Sequence, residues 1–125
     1  MDPQMQQAIS WARNGRRLKL LELLNTGFNP RTAGARGRTL MMEAATSNQK
    51  AILKLLDVYG ADINSLDAFG STALHCAYRY GYTELGQYMI AKLGADDTIL
   101  DLRGRSCYDV AMGRDGGGGS AFSSP

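Results

Sequence analysis

Apolar residues recur at helical spacing in two similar segments of the chain. Residues 50–60, "KAILKLLDVYG", carry a one-sided stripe that includes Ile52, Leu53 and Leu56, and residues 16–27, "RRLKLLELLNTG", repeat it. Spacing of this kind predicts an amphipathic helix in each segment. Each stripe ends just before a glycine, which suits the left-handed residue that commonly follows a helix.

Two shorter segments, "LMMEAATSN" and "ALHCAYRYG", also have helical character. Each follows a threonine, Thr39 or Thr72, whose hydroxyl can accept a hydrogen bond from an unpaired N–H group of the first turn. The pattern therefore predicts short helices that alternate with longer ones, separated by turns.

Glycines mark an internal repeat. Gly37, Gly70 and Gly104 each begin a Gly-x-Thr or Gly-x-Ser motif, and they lie 33 and 34 residues apart. A second series, Gly27, Gly60 and Gly94, has the same spacing and stands ten positions before the first. A fixed period of this length predicts stacked units, because one unit cannot bury its apolar face alone.

The best-preserved unit resembles an ankyrin repeat. Residues 72–75, "TALH", and residues 60–64, "GADIN", are similar to the family signatures T-P-L-H and G-A-D-V-N. The resemblance covers about residues 4–113 and implies an all-α helix-turn-helix solenoid with short hairpin-like loops. The structural-motif residues that it implies are Thr39, Thr72, His75, Gly27, Gly60, Gly81 and Gly94.

The resemblance divides the chain into one repeat domain, residues 1–115, and a Gly/Ser-rich tail, residues 116–125. The units are expected at about 4–33, 34–66, 67–100 and 101–115. The tail composition predicts flexibility, as in a linker, whether natural or engineered. The last unit has only a first helix, so we expect either a frayed C-terminal end or a chain cut from a longer protein.

The sequence also departs from the family pattern. No unit keeps the proline of T-P-L-H, whose position is held by Leu40, Ala73 and Cys107. Gly86 lies inside a predicted helix, where it should cost about 1 kcal/mol relative to alanine. Tyr78 stands where the family usually has alanine, which leaves two interpretations open, packing between units or contact with a partner.

Composition and charge restrict the function further. The net charge is +2, but residues 1–40 contain seven Arg or Lys and only two Asp or Glu, which favours an electrostatically biased partner. The longest apolar runs are too short to cross a membrane, and the N-terminus lacks the features of a signal peptide. Two cysteines cannot form a disulfide framework, so we expect free thiols in a reducing compartment, the cytoplasm or the nucleus.

The adjacent His75 and Cys76 raise the possibility of a metal or catalytic site. Neighbouring helical residues point about 100° apart, and a zinc site needs ligands that this chain lacks, since it has no second histidine. A dyad of His75 with Cys107 would need an orienting group and an oxyanion site. The structural interpretation is favoured, in which His75 links one unit to another; no catalytic residue, metal or cofactor is predicted.

The resemblance places arginines on one face. In this family the loop tips and the ends of the first helices line a concave face that binds partners. The corresponding loop positions here are Arg36, Arg38, Ala68, Phe69, Ser71, Leu102, Arg103 and Arg105, and the helix-end positions are Arg13, Asn14, Thr46, Ser47, Arg79, Tyr80 and Arg114. Seven of the ten arginines fall on this face, whereas none of the four lysines does. Guanidinium groups bind carboxylates through two parallel hydrogen bonds and also stack on aromatic rings.

The predicted function is a non-enzymatic protein–protein interaction module that binds an acidic, aromatic-containing peptide or protein segment. The predicted partner-binding residues are Arg36, Arg38, Ala68, Phe69, Arg79, Tyr80, Leu102, Arg103 and Arg105. Two alternatives stay open, a nucleic-acid-associated adaptor and one part of a larger scaffold with no partner on this face. The low net charge disfavours nucleic acid, and we expect a monomer outside any complex.

Overall fold

The computed structural model of the protein describes residues 2–113. Within this range the chain forms α1 (Pro3–Arg13), α2 (Arg17–Asn25), α3 (Leu40–Thr46), α4 (Lys50–Val58), α5 (Ala73–Arg79), α6 (Thr83–Leu93) and α7 (Cys107–Ala111). The odd-numbered helices pack in series as an inner layer, and α2, α4 and α6 pack as an outer layer. The predicted all-α solenoid of helix-turn-helix units is confirmed.

Side-chain caps begin α3, α5 and α7, the three inner helices whose first residue is not proline. Thr39 Oγ1 accepts from the backbone N–H of Met42 at 3.2 Å, and Thr72 Oγ1 accepts from that of His75 at the same distance. Ser106 does the same for α7, accepting from the Asp109 N–H at 3.0 Å. Each cap satisfies a donor that the first turn leaves unpaired. After the helices, Gly27, Gly60, Gly81 and Gly94 have φ angles of 99°, 92°, 79° and 75°.

Three tight turns form the loop tips. The N–H groups of Gly34, Asp67 and Asp101 donate to the carbonyl groups four residues later at 2.8, 2.9 and 2.9 Å. Ala33 and Thr39 also form an antiparallel bridge around the first turn. These turns are the hairpin-like loops that the sequence predicts.

The turns stack on one another through their backbones. The Ala68 N–H donates to the Arg36 carbonyl at 2.9 Å, and the Leu102 N–H donates to the Phe69 carbonyl at 3.0 Å. This stacking requires glycine at position 70, because its φ is +76° and a Cβ there would lie 2.9 Å from the backbone nitrogen of Leu102. The loop register between units is therefore fixed by main-chain atoms.

Tyr78 packs between units. Its side chain is buried, and its ring centroid lies 5.3 Å from that of Tyr108 in the last unit. The ring also occupies the space beside Gly86 of α6, where an added Cβ would lie 2.6 Å from Tyr78 Cε2. The structure thus resolves the open question about Tyr78 in favour of packing, and it shows that Gly86 makes room for the tyrosine ring.

The fourth unit is described only as far as Gly113, just beyond α7. Cys107 and Val110 of α7 are buried against the preceding unit. Arg114 and the predicted tail at 116–125 lie outside the described residues, and the unit boundaries and C-terminal fraying stay predictions. None of the helices within residues 2–113 combines the length and apolar character needed to cross a membrane.

Candidate partner-binding cavity on the arginine face

A cavity of about 280 Å³ opens at the loop tips of the second, third and fourth units. We call it the arginine cavity; its lining residues are Arg36, Arg38, Asp67, Phe69, Ser71, Arg79, Asp101, Leu102, Arg103 and Arg105. Seven of the nine predicted partner-binding residues therefore meet in one place. The other two, Ala68 and Tyr80, are exposed but do not line it.

Arg38 is held by internal contacts. Its Nε donates to Glu43 Oε2 at 3.2 Å and its Nη2 donates to Thr46 Oγ1 at 3.1 Å. Glu43 is only 3% exposed and accepts a second hydrogen bond from Arg13 Nε at 2.8 Å. A buried carboxylate on α3 thus binds both guanidinium groups, and contact of Arg38 and Arg13 with a partner stays a prediction.

Arg105 is also engaged within the molecule. Its Nε donates to Asp101 Oδ2 at 2.9 Å, and Asp101 Oδ1 accepts from the backbone N–H groups of Arg103 and Arg105, both at 2.9 Å. Burial opposes ionisation of Asp101, but these hydrogen bonds and the Arg105 charge outweigh it and lower the pKa of the carboxyl group. Arg105 therefore forms part of the cavity wall while its Nε is bound to Asp101, and its contact with a partner stays a prediction.

Asp67 holds the preceding turn in the same way. Its Oδ1 accepts from the N–H groups of Phe69 and Ser71 at 2.8 and 3.0 Å. Neither turn carboxylate was predicted as part of the site, although "DAFGS" and "DLRGR" share the aspartate three residues before glycine. Aspartates at such positions commonly bond to the backbone of their own turn.

Three arginines and two apolar side chains remain exposed around the cavity. Arg36, Arg79 and Arg103 are exposed, and Phe69 and Leu102 are 59% and 79% exposed. Among residues 2–113, no hydrogen bond or ion pair engages the guanidinium groups of Arg36 and Arg79. With five arginines and two carboxylates in its lining, the cavity can bind an anionic group beside an apolar one.

Tyr80 lies at the end of α5 and stacks on another tyrosine. Its ring centroid is 6.3 Å from that of Tyr82, with 25° between the ring planes. Tyr80 is 55% exposed, so it can still add an aromatic contact beside the cavity.

His75 links the third unit to the fourth. Its Nδ1 accepts from the Thr72 N–H at 3.2 Å, which requires Nε2 to carry the proton that is donated to the Arg105 carbonyl at 2.9 Å. The side chain is 1% exposed, and both ring nitrogens have partners. This geometry agrees with the structural interpretation of the histidine.

The two cysteines are buried free thiols. Burial raises the pKa of Cys76, and burial together with Asp97 raises the pKa of Cys107 to about 11. Both groups are therefore protonated at neutral pH, whereas a nucleophilic cysteine acts as the thiolate. Within the described part of the chain, no three His, Cys, Asp or Glu side chains are grouped so as to hold a metal ion.

Comparison with known proteins identifies the repeats. Residues 7–101 match the family model described as ankyrin repeats in three copies. The human Notch-regulated ankyrin repeat-containing protein is 33% identical over 95 residues, which cover 72% of this chain and 83% of that protein. Its Xenopus laevis counterpart is 33% identical over 84 residues, which cover 64% and 74%.

The human protein phosphatase 1 regulatory subunit 27 is 43% identical over 60 residues, which cover 48% of this chain. The match spans only 38% of that relative's length, and the mouse protein shows the same values. Ankyrin repeats are protein–protein interaction modules. The family match, the 33-residue period and the two-layer helical stack lead to one conclusion: the chain belongs to the ankyrin repeat family.

Proposed function

We propose that the protein binds an acidic, aromatic-containing segment of a protein partner in the arginine cavity, and that it does so without catalysis. The observation that carries this proposal is the convergence of exposed Arg36, Arg79 and Arg103 around exposed Phe69 and Leu102. Arginine and aromatic side chains dominate the binding energy of many protein interfaces.

The internal ion pairs prepare the cavity for binding. Glu43 and Asp101 fix Arg38 and Arg105 in the walls, so less side-chain entropy is lost when a partner arrives. Carboxylates of the partner would pair with Arg36, Arg79 and Arg103, while its aromatic side chain would pack on Phe69 and Leu102.

Arg36 supports a role beyond folding. Its φ angle is +61°, a left-handed conformation that costs a residue with a side chain about 1–2 kcal/mol. Glycine would avoid this cost, so the fold alone does not explain an arginine here. Strained residues of this kind concentrate at functional sites.

The partner is proposed to be a protein and not a nucleic acid. A net charge of +2 is low for a protein that binds a phosphate backbone. The names of the relatives include a phosphatase regulatory subunit. From that name we propose for this chain only a role as a binding component.

A displayed library of peptides with one aromatic residue among random acidic and neutral positions tests the proposal. Selected peptides should be enriched in Asp or Glu beside the aromatic residue. Arg79→Glu with Arg103→Glu should weaken their binding at least about tenfold, since attraction becomes repulsion at two contacts. The matched control is Lys19→Glu with Lys92→Glu on the outer layer, which should bind as wild type does.

Two outcomes would contradict the proposal. Selected peptides without acidic enrichment would remove the charge argument. Affinity unchanged by the Arg79 and Arg103 reversal would show that the cavity is not the binding site. Retention on heparin at about 150 mM salt with a steep salt dependence would favour the nucleic-acid alternative instead.

A further inference from the structure

A second groove lies on the outer layer, between α2 and α4. We call it the outer groove; its volume is about 390 Å³ and its lining residues are Arg17, Leu21, Ala51, Lys54, Leu55, Val58 and Tyr59. Its volume falls in the range of roughly 300–1,000 Å³ typical of ligand-binding pockets. It shares no lining residue with the arginine cavity.

Side chains connect the helices of the outer layer at two places. Between α4 and α6, Lys50 Nζ lies 4.3 Å from the centre of the Tyr88 ring, in a cation–π contact. Between α2 and α4, Tyr59 reaches Asn25 near the C-terminal ends of the helices. The outer groove lies beside this contact, and its lining includes the small side chain of Ala51.

The floor and edge of the outer groove are apolar. Leu55 is buried at 6% exposure, whereas Val58 on the same helix is 79% exposed. Leu21 of α2 is half-buried and faces the same space. An apolar side chain inserted between Leu21 and Leu55 would cover Val58 and remove its surface from water.

The charges around this groove are positive. Arg17 and Lys54 line it, and no carboxylate does so among the described residues. Arg17 also borders an adjoining hollow with Arg16, Lys19 and the 69%-exposed Leu18, where Glu22 is the one acidic residue in the described lining. Three of the seven basic residues within positions 1–40 thus lie around these two hollows of the outer layer, and none of the three lines the arginine cavity.

We infer that the outer groove docks an acidic amphipathic helix of a partner protein. The ridge of a helix fits the groove between two others, and apolar side chains three or four residues apart would contact Leu55 and Val58. Carboxylates flanking that ridge would meet Arg17 and Lys54. A second copy of this chain is a poor occupant, because a symmetric contact would place these cations opposite one another.

Site-specific photo-crosslinking tests the inference. Benzoylphenylalanine is placed at Val58, and at the equivalent exposed position Ala91 of α6 as the matched control. Peptides crosslinked in cells are sequenced by mass spectrometry, and the recovered segment is synthesised for binding measurements. The expected adduct is specific to Val58 and comes from a segment with apolar residues at helical spacing and flanking Asp or Glu.

Charge reversal decides whether the groove binds that segment. Arg17→Glu with Lys54→Glu should weaken its binding at least about tenfold, whereas Arg79→Glu with Arg103→Glu should leave it unchanged. The Arg17→Lys, Lys54→Arg pair should bind nearly as wild type does, and circular dichroism checks that every variant is folded. The inference is overturned if no adduct is specific to Val58, if the segment is not acidic, if a second copy of this chain is captured, or if the reversal has no effect.

Discussion

The contact between Gly86 and Tyr78 makes helix propensity and packing predict opposite results. Propensity alone says that Gly86→Ala should stabilise α6. The structure says that the new Cβ would lie 2.6 and 2.7 Å from Tyr78 Cε2 and Cζ. The ring cannot easily move away, because Tyr78 is buried and packs on Tyr108.

The magnitudes decide the sign. Alanine gains about 1 kcal/mol over glycine in a helix interior, and overpacking a core typically costs about 1–3 kcal/mol. We therefore expect Gly86→Ala to lower the free energy of unfolding by about 1 kcal/mol in the wild type. In a Tyr78→Ala background, which itself costs about 3 kcal/mol, the same change should raise it by about 1 kcal/mol.

Urea unfolding monitored by circular dichroism measures all four proteins of this double-mutant cycle. The coupling free energy should be about 2 kcal/mol, within the range found for contacting residues. Ala91→Gly, at an exposed position of the same helix, measures the propensity contribution separately. If Gly86→Ala stabilises the wild type as much as it stabilises the Tyr78→Ala variant, the packing argument is wrong.

Three further predictions concern buried groups and turns. Glu43→Gln should lower the free energy of unfolding by about 2 kcal/mol, because two arginines lose a buried carboxylate. The control Asp57→Asn, at an exposed site, should change it by less than about 0.5 kcal/mol. Equal losses for the two variants in urea unfolding would contradict this prediction. Gly70→Ala should lower the free energy of unfolding by about 3 kcal/mol, because of backbone strain and the close approach to Leu102. Gly60→Ala, whose Cβ would meet nothing within 4 Å, should lower it by about 1 kcal/mol. A smaller loss at position 70 than at position 60 would refute the loop-stacking argument. Burial raises the pKa of the Cys107 thiol from 9.0 to about 11, so the stability that the protonated thiol contributes is present below pH 9 and is lost as pH rises to 11. The free energy of unfolding should fall by about 2 kcal/mol over that interval. A Cys107→Ala variant with the same fall would show that the thiol is not responsible.

The fold could be predicted because its determinants are local and repeated. The glycines after the helices, the threonine caps and the Gly-x-Thr/Ser motifs each occupy a fixed place in a 33- or 34-residue period. Each determinant acts within a few residues of its position, so the sequence alone reveals it. Because the units are similar, each can then pack on its neighbour in the same way, which produces the stack.

The candidate site could be predicted only in part. The resemblance to ankyrin repeats placed the arginines on one face, and seven of the nine predicted residues line one cavity. The ion pairs of Arg13 and Arg38 with Glu43 could not be predicted in this way, because Glu43 lies 30 residues from Arg13 and inside helix α3. Side-chain pairing across units depends on rotamers and burial, which periodicity does not specify. The same limit applies to Tyr78 and Gly86, since the sequence does not show why a glycine stands inside α6, whereas the structure shows the tyrosine ring packed beside it.

The backbone ladder of the loop tips separates what the fold must keep from what it can exchange. Arg36, Ala68, Phe69 and Leu102 contribute main-chain groups to the register, while their side chains lie exposed. Replacing those side chains leaves the hydrogen bonds between turns intact. New binding specificities can therefore evolve, or be engineered, at the loop tips without changing the helices beneath them.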